Sequence, residues 1–401
     1  MQRLTLTPRS DWQKRVESVG LAFHTTDQGE PYWDESACYV FTPAEIDQIE
    51  LATLDLNELC LKAVEHILGH ELWDDFQIPR GFEDFIRKSW DEEEISIIGR
   101  FDLLFDGISP PKLAEYNADT PTALLEAAVV QWFWLRDCAP DADQFNSVHE
   151  RLIEVWQRVK LEIGKPVTFV STADHVEDFM TVTYLRDAAR QAGLMTQYLP
   201  MNAIGWNASR RMFVDMKERS LGCVLKLYPW EWMMREQFGQ HLGTTLTRWL
   251  EPPWKALLSN KALLPLLWKL FPEHPNLLPA SWERLPGRCV KKPVLGREGA
   301  NITILDDGQL VQGTSGDYSD GEFIYQAFHD TPKFDGRTIV LGSWMVNGFA
   351  CGLGIREDDS LITTNTSRFV PHRIGGTDET QHAIKAAKEI NVSQATGIFV
   401  P

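Results

Sequence analysis

The sequence predicts a mixed α+β / α/β protein of several lobes, and three observations carry that reading. A chain of 401 residues is longer than a single core usually supports. Strand-then-helix alternation runs through residues 167–250, where Val167–Val170, Val176–Ala192, Met195–Leu199 and Cys223–Leu227 follow one another. From Cys289 onward short apolar runs are separated by glycines at 313, 316, 321, 336, 348, 352 and 354, which reads as β-rich.

The elements follow in order. Residues 11–95 read as a mainly helical N-terminal region. Thr42-Pro43-Ala44-Glu45 is a helix start with a capping hydroxyl, a proline in the first turn and a glutamate three residues on. Ile46, Ile49, Leu56, Leu59, Val64 and Ile67 then recur at helical spacing. Phe101, Leu103 and Phe105 alternate onto one face of a strand. The turn-rich Asp106–Pro111 comes next, and Lys112–Asn117 resumes an extended pattern, so this segment predicts a hairpin. Thr122–Leu135 and Glu379–Ile390 read as helices.

Bulk chemistry narrows the function. A net charge of −18 with no basic tract repels a phosphate backbone, so nucleic acid is not an expected partner. Met1–Arg9 lacks the apolar core of a signal peptide, and the greasy Ala262–Phe271 is too short to span a bilayer. A cytoplasmic protein without a membrane partner is therefore expected. Six scattered cysteines predict free thiols rather than a zinc knot or disulfides, and most of the 15 tryptophans read as core anchors.

The hairpin carries the most chemistry. A turn centred between Ile108 and Ser109 places Asp102 opposite Glu115 and Arg100 opposite Asn117, all on one face. Two carboxylates facing each other across a sheet destabilise it unless a positive group sits between them. A divalent cation with hard-oxygen preference, such as Mg²⁺, suits that need, with Asn117 as a third ligand and Arg100 on a phosphate oxygen. A solvated polar face with an ion pair is the plain alternative. Lys292, followed by Gly296 and Gly299, suits phosphate binding, although a simple β-turn explains the segment about as well. Lys261 opens an apolar helix, where an anion would resolve its conflict with the helix dipole, although a solvent-facing lysine explains the segment more easily when it is taken alone. Gln326 within Phe323–Phe328, and Arg356 after the strand pair Ser343–Ile355, are unspecific alone.

Together these segments resemble the synthetase domain of the glutathionylspermidine synthase family and its single-domain acid–amine ligases. The resemblance is densest at Arg100-Phe101-Asp102, Glu115–Thr122, Asn260-Lys261-Ala262, Lys292-Pro293 with Gly296-Arg297 and Gly299, and Ile324-Tyr325-Gln326. It implies an ATP-grasp fold. Residues 1–95 would pack on the core, 96–150 would hold a metal-binding hairpin and helix, 165–250 a small pre-ATP-grasp-like lobe, and 255–390 the nucleotide-binding lobes. It also implies roles. Asp102, Glu115 and Asn117 match ligands of two magnesium ions. Arg100 matches the arginine of phosphoryl transfer, and Arg356 and Thr120 fall where carboxylate and intermediate are met. Lys261, Lys292 and Gly299 match groups on the ATP phosphates. Gln326, Ala327 and Phe328 match the adenine hinge, and Leu361–Thr363 the strand beneath it.

Thr122 and Arg297 are expected beside the substrates. Glu177 and Asp178 offer a patch for an amine, although helix-surface charge is the plainer reading of both. The implied reaction joins a small peptide-like acid, such as glutathione, to an amine through an acyl phosphate. The sequence departs from the family at Glu298, in place of a cysteine, and at Leu227, in place of a threonine. Arg368 stands where the family has a polyamine-facing acid, and the amidase domain that some relatives carry in front is not expected here. Related ligation of other substrates, an ATP-binding sensor and a metal-dependent hydrolase are the competing readings.

Overall fold

In the computed structural model, which describes residues 1–319 and 321–375, sheets rather than helices organise the chain. A central antiparallel sheet has the strand order Arg368–Val370, Phe349–Asp358, Thr338–Val346, Ile98–Leu104, Lys112–Asn117. Its strands come from both the 96–150 and the 255–390 stretches. A second antiparallel sheet runs Ala280–Ser281, Phe323–Ala327, Arg288–Pro293, Thr303–Asp306, Gln309–Gly313. The third is wholly parallel, in the order Arg248–Leu250, Cys223–Leu227, Val167–Ser171, Thr196–Pro200. The alternation read in residues 167–250 corresponds to this parallel sheet.

The long helix Pro43–His70 starts as its sequence dictates. Thr42 Oγ1 accepts the Glu45 backbone N–H, and Glu45 Oε2 accepts that of Thr42. Its apolar face, with Ile49, Leu56 and Ile67, shares a core with Phe101, Leu103 and Phe105 of the hairpin. Thr53 and Ser343 add a hydroxyl pair at 2.7 Å between this helix and the sheet. Trp344 and Val346 lie in a separate core formed with the helices Gln131–Cys138 and Val148–Ile163. Phe101 and Leu103 thus point to one face of their strand, which leaves Arg100 and Asp102 to the other.

Three expectations need correction, the first being that Leu361–Thr363 is not a strand but irregular chain between the strands Phe349–Asp358 and Arg368–Val370. The N-terminal region is not mainly helical throughout: Gln2–Thr5 and Ala37–Phe41 are strands, joined in parallel by His372–Ile374. The partners lie at opposite ends of the described chain, so no local periodicity signals them. The helix expected over Thr122–Leu135 begins with a π-helical turn, Glu126–Val130, before the α-helix Gln131–Cys138. The helix expected near 379–390 lies outside the described residues. Among those residues the six cysteines are free and no helix is long and apolar enough to cross a membrane.

Candidate active site

The hairpin register is the one the sequence suggested, but it is reached in two steps. Arg100 pairs with Asn117 and Asp102 with Glu115, while Leu103 pairs with Leu113 and Leu104 with Lys112. The turn is therefore offset by one residue, and a bulge at Ala114 restores the register just before the polar cluster. Bulges re-aim side chains where they interrupt a ladder, and here the interruption sets Glu115 on the face of Asp102.

These side chains form one charge network. Arg100 donates to both carboxylate oxygens of Asp102, from Nε at 2.7 Å and Nη2 at 3.0 Å, and from Nη1 to the Thr122 carbonyl at 2.7 Å. Arg356 Nη2 donates to Asp102 Oδ2 at 3.1 Å. Asn117 Nδ2 donates to Asp102 and to Glu115, both at 3.2 Å. Lys261 Nζ lies 3.0 Å from Glu115 Oε2 and donates to the Gly296 carbonyl at 2.6 Å. Burial works against charge on Glu115, but Lys261 and Lys292 outweigh it and hold the carboxyl well below the ordinary range. The plain alternative of a solvated polar face does not describe Arg100 and Asp102, which are both buried.

Lys292 is buried as well, and burial pushes it down to about 8 against the pull of Glu115. Its Nζ donates to the Ala114 carbonyl at 2.9 Å and to Gln326 Oε1 at 2.7 Å. Gln326 Nε2 in turn donates to the Leu113 carbonyl at 2.9 Å. The Gln326 side chain is thus engaged in holding Lys292 and the bulged strand. Beyond it Phe328 and Leu361 pack on the apolar cluster of Ile302, Ile304 and Ile362.

A cleft of about 250 Å³ gathers these groups, and every residue named above for metal, nucleotide or substrate lines it. Its walls bring Arg100, Asp102, Glu115, Asn117, Lys261, Lys292 and Arg356 together with Thr120, Thr122, Glu177, Asp178 and Arg297. The same cleft is lined by Gly299, Gln326, Ala327, Phe328, Leu361 and Thr363. A Cβ on Gly299, whose φ is +72°, would sit 2.5 Å from the Thr363 carbonyl oxygen, so the loop can pass only as glycine.

Glu177 and Asp178 are not free helix-surface charges. They stand in the first turn of the helix Val176–Gln191, half-buried, where that helix reaches the cleft. Burial pushes Glu177 up, and burial with the neighbouring Glu177 pushes Asp178 up to about 7. Arg297 Nη1 donates to Thr120 Oγ1 at 2.7 Å, and its Nη2 meets Glu231 at 2.6 Å. Arg368 pairs with Asp359 at 2.7 Å on the edge strand and is not among the lining residues.

Sequence reasoning passed over several contributors. Lys226 and Asp119 form a fully buried pair at 2.5 Å, and Asp119 also accepts the Trp230 N–H at 2.9 Å. This ties the strand end that carries Thr120 to the parallel sheet. Tyr32 lines the cleft and donates to buried Glu126 at 2.9 Å; burial and Glu177 push that carboxyl up to about 7. Ala123 adopts φ 65°, a left-handed conformation that a non-glycine residue holds only when its surroundings impose it. Among the described residues no group of three His, Cys, Asp or Glu could hold a metal. The hairpin offers two carboxylates and an amide.

The sequence matches the family described as glutathionylspermidine synthase preATP-grasp over residues 3–375. A protein of Haemophilus influenzae, provisionally named an acid–amine ligase, is 40% identical over 390 residues, covering 93% of this chain and 99% of the relative. The bifunctional glutathionylspermidine synthetase/amidase of Escherichia coli is 27% identical over 366 residues, covering 83% of this chain and 58% of that protein. Trypanothione synthetase of Crithidia fasciculata is 29% identical over 332 residues, covering 75% of this chain and 50% of that protein. The chain thus spans about half the length of these two longer relatives. Among solved structures, the apo form of a glutathione synthetase-like effector from Globodera pallida superposes with a TM-score of 0.58 at 11% identity. That likeness, over 91% of this chain and 96% of the other, is one of fold alone.

Proposed function

Because the chain belongs to the glutathionylspermidine synthase preATP-grasp family, we propose that it is an ATP-dependent carboxylate–amine ligase with an ATP-grasp fold. The observation that carries this reading is the meeting of Asp102, Glu115 and Asn117 with Arg100, Arg356, Lys261 and Lys292 in one cleft. Four cations around two carboxylates leave an excess of positive charge, which suits a polyphosphate. A hydrolase built on Asp102 and Glu115 alone would leave Lys261, Lys292 and the glycine loop without a task.

The donor set fits Mg²⁺ in kind. Asp102, Glu115 and the Asn117 amide oxygen are hard ligands, too few for a closed site, as expected where phosphate oxygens complete the shell. Bound there, magnesium would neutralise charge on the ATP phosphates. The chain's own groups do the rest. Lys261 and Lys292 hold phosphate oxygens, and the Phe328–Leu361 slot receives the adenine. Arg100 and Arg356 stabilise the γ-phosphoryl as a carboxylate oxygen attacks it. ADP leaves; the deprotonated amine then attacks the acyl carbon of the acyl phosphate. Inorganic phosphate departs as the amide nitrogen gives its proton to solvent, and the same two arginines face the tetrahedral oxyanion. Glu177 and Asp178 give the incoming ammonium its counter-charge. An acid labelled with ¹⁸O in its carboxylate should pass one label to inorganic phosphate; label in AMP would overturn this route in favour of adenylation.

Two further outcomes follow. A Cβ on Gly342, which pairs with Asp102, would lie 2.9 Å from Arg100 Cδ. Gly342→Ala should therefore dislodge the guanidinium and lower kcat about tenfold, since small misplacements near the chemistry are costly; steady-state kinetics checks it. The second concerns pH. Asp178, facing Glu177, His175, Glu298 and Arg297, is neutral below about 7 and charged above it. Amine binding should therefore tighten as pH rises through about 7, and Asp178→Asn should flatten that rise in a plot of amine KM against pH.

Leu227, in the cleft wall where the family has a threonine, favours a peptide-like acid other than glutathione. The position of Arg368, paired away from the cleft, removes one obstacle to a cationic amine.

A further inference from the structure

We propose that the acid substrate carries a large apolar group, aromatic or branched aliphatic, which seats in a second cavity adjoining the cleft. The assignment to the acid rests on the ligase reading above; the chemistry of the cavity stands apart from it. The cavity encloses about 350 Å³ and takes Thr172, Asp174, Met201, Asn202 and Tyr228 from just beyond the C-terminal ends of three strands of the parallel sheet. That edge is where parallel α/β sheets place their ligands. Thr172 lines both the cleft and the second cavity. Trp232, in the cleft, and Tyr228, in the cavity, are edge-to-face at 5.4 Å, so the two linings also touch there.

The walls differ in chemistry. The cleft is ringed by charge, whereas the apolar wall of the second cavity is built by Ile204, Phe213, Met233, Leu242 and Trp249. All five are buried against the core, and methionine and aromatic rings adapt to large apolar groups. The polar members, Asp174, Asn202, Tyr228 and Glu236, include one internal pair, because the Tyr228 hydroxyl donates to Glu236. The Trp249 ring, 2% exposed, adds an aromatic wall backed by Phe213 at 5.0 Å. Thr120 and Leu227 line the cleft on the side of the shared residue Thr172, since Leu227 pairs with Ser171 next to it, and Leu227 makes that part of the wall apolar. The ammonium-facing acids Glu177 and Asp178 belong to the cleft and not to the cavity. A side chain of the acid, rather than the amine, is thus assigned to it.

The test is calorimetric binding of γ-glutamyl tripeptides with Phe, Leu or Gly in the middle position, to the full chain with Mg²⁺ and a non-hydrolysable ATP analogue. The Phe or Leu peptide should bind at least about tenfold tighter than the Gly peptide. Asn202→Trp, at the exposed rim, should erase that advantage without changing affinity for the ATP analogue. Ile204→Trp, which fills the interior, is the second variant. Equal binding of the three peptides, absence of binding by any, or an advantage that survives both variants would overturn the proposal. ADP release with the same peptides and a panel of amines separates the two claims. A preference without turnover would keep the cavity and remove the ligase reading, and turnover without preference would do the reverse.

Discussion

Asp102→Asn is expected to lower ADP release about a thousandfold, the scale on which enzymes lose preorganised charge at a transferring group. Asp102 accepts two hydrogen bonds from Arg100 and one from Arg356, while Asn117 donates to it as well. An amide presents one acceptor oxygen in place of two, so Arg100 loses one of its two hydrogen bonds whichever way the amide turns. The carboxylate is also one of only two in the candidate metal set, and the Mg²⁺ concentration for half-maximal rate should rise. Stability should fall by about 3 kcal/mol, because Arg100 is buried and would keep a charge without its counter-ion. Rates measured well below the melting midpoint separate that loss from the catalytic one.

Arg356→Ala should lower kcat by about a hundredfold or more while changing KM for ATP less than about threefold. The guanidinium touches Asp102 and lies 5.9 Å over the Phe369 ring, and among the described residues its hydrogen bonds and ring contacts do not reach Lys261, Lys292 or the Phe328–Leu361 slot. It therefore bears on the reacting phosphoryl and carboxylate rather than on the nucleotide. Being partly exposed, it can be removed with little structural cost. A rise in KM for ATP with kcat preserved would reassign it to nucleotide binding.

What could be read from the sequence follows the range of each interaction. The cap at Thr42–Glu45 and the pairing of Asp102 with Glu115 are set by neighbours along the chain, and both were legible. The hairpin was legible partly through cancellation, since the offset of its turn is undone by the bulge at Ala114. Lys226 shows the opposite case. Within Cys223–Leu227 it reads as a polar interruption of a buried strand. Its meaning comes only from Asp119, which the fold brings from another sheet.

Glu177 and Asp178 were ambiguous for a related reason. Acidic residues in a first helical turn favour the dipole wherever the helix sits, so the sequence cannot say that this helix end opens on the cleft. The N-terminal sheet was illegible because its parallel partner, His372–Ile374, lies at the far end of the described chain. Arg368 was read against a family position, and only the structure shows it turned to Asp359.

ADP release by the purified protein in Mg²⁺-ATP, across a matrix of peptide-like acids and amines that includes glutathione with spermidine, tests the central claim most directly. The account predicts release that needs an acid and an amine together and that is lost in Asp102→Asn. Release that continues without an acid, or an amide product formed without ATP consumption, would contradict it.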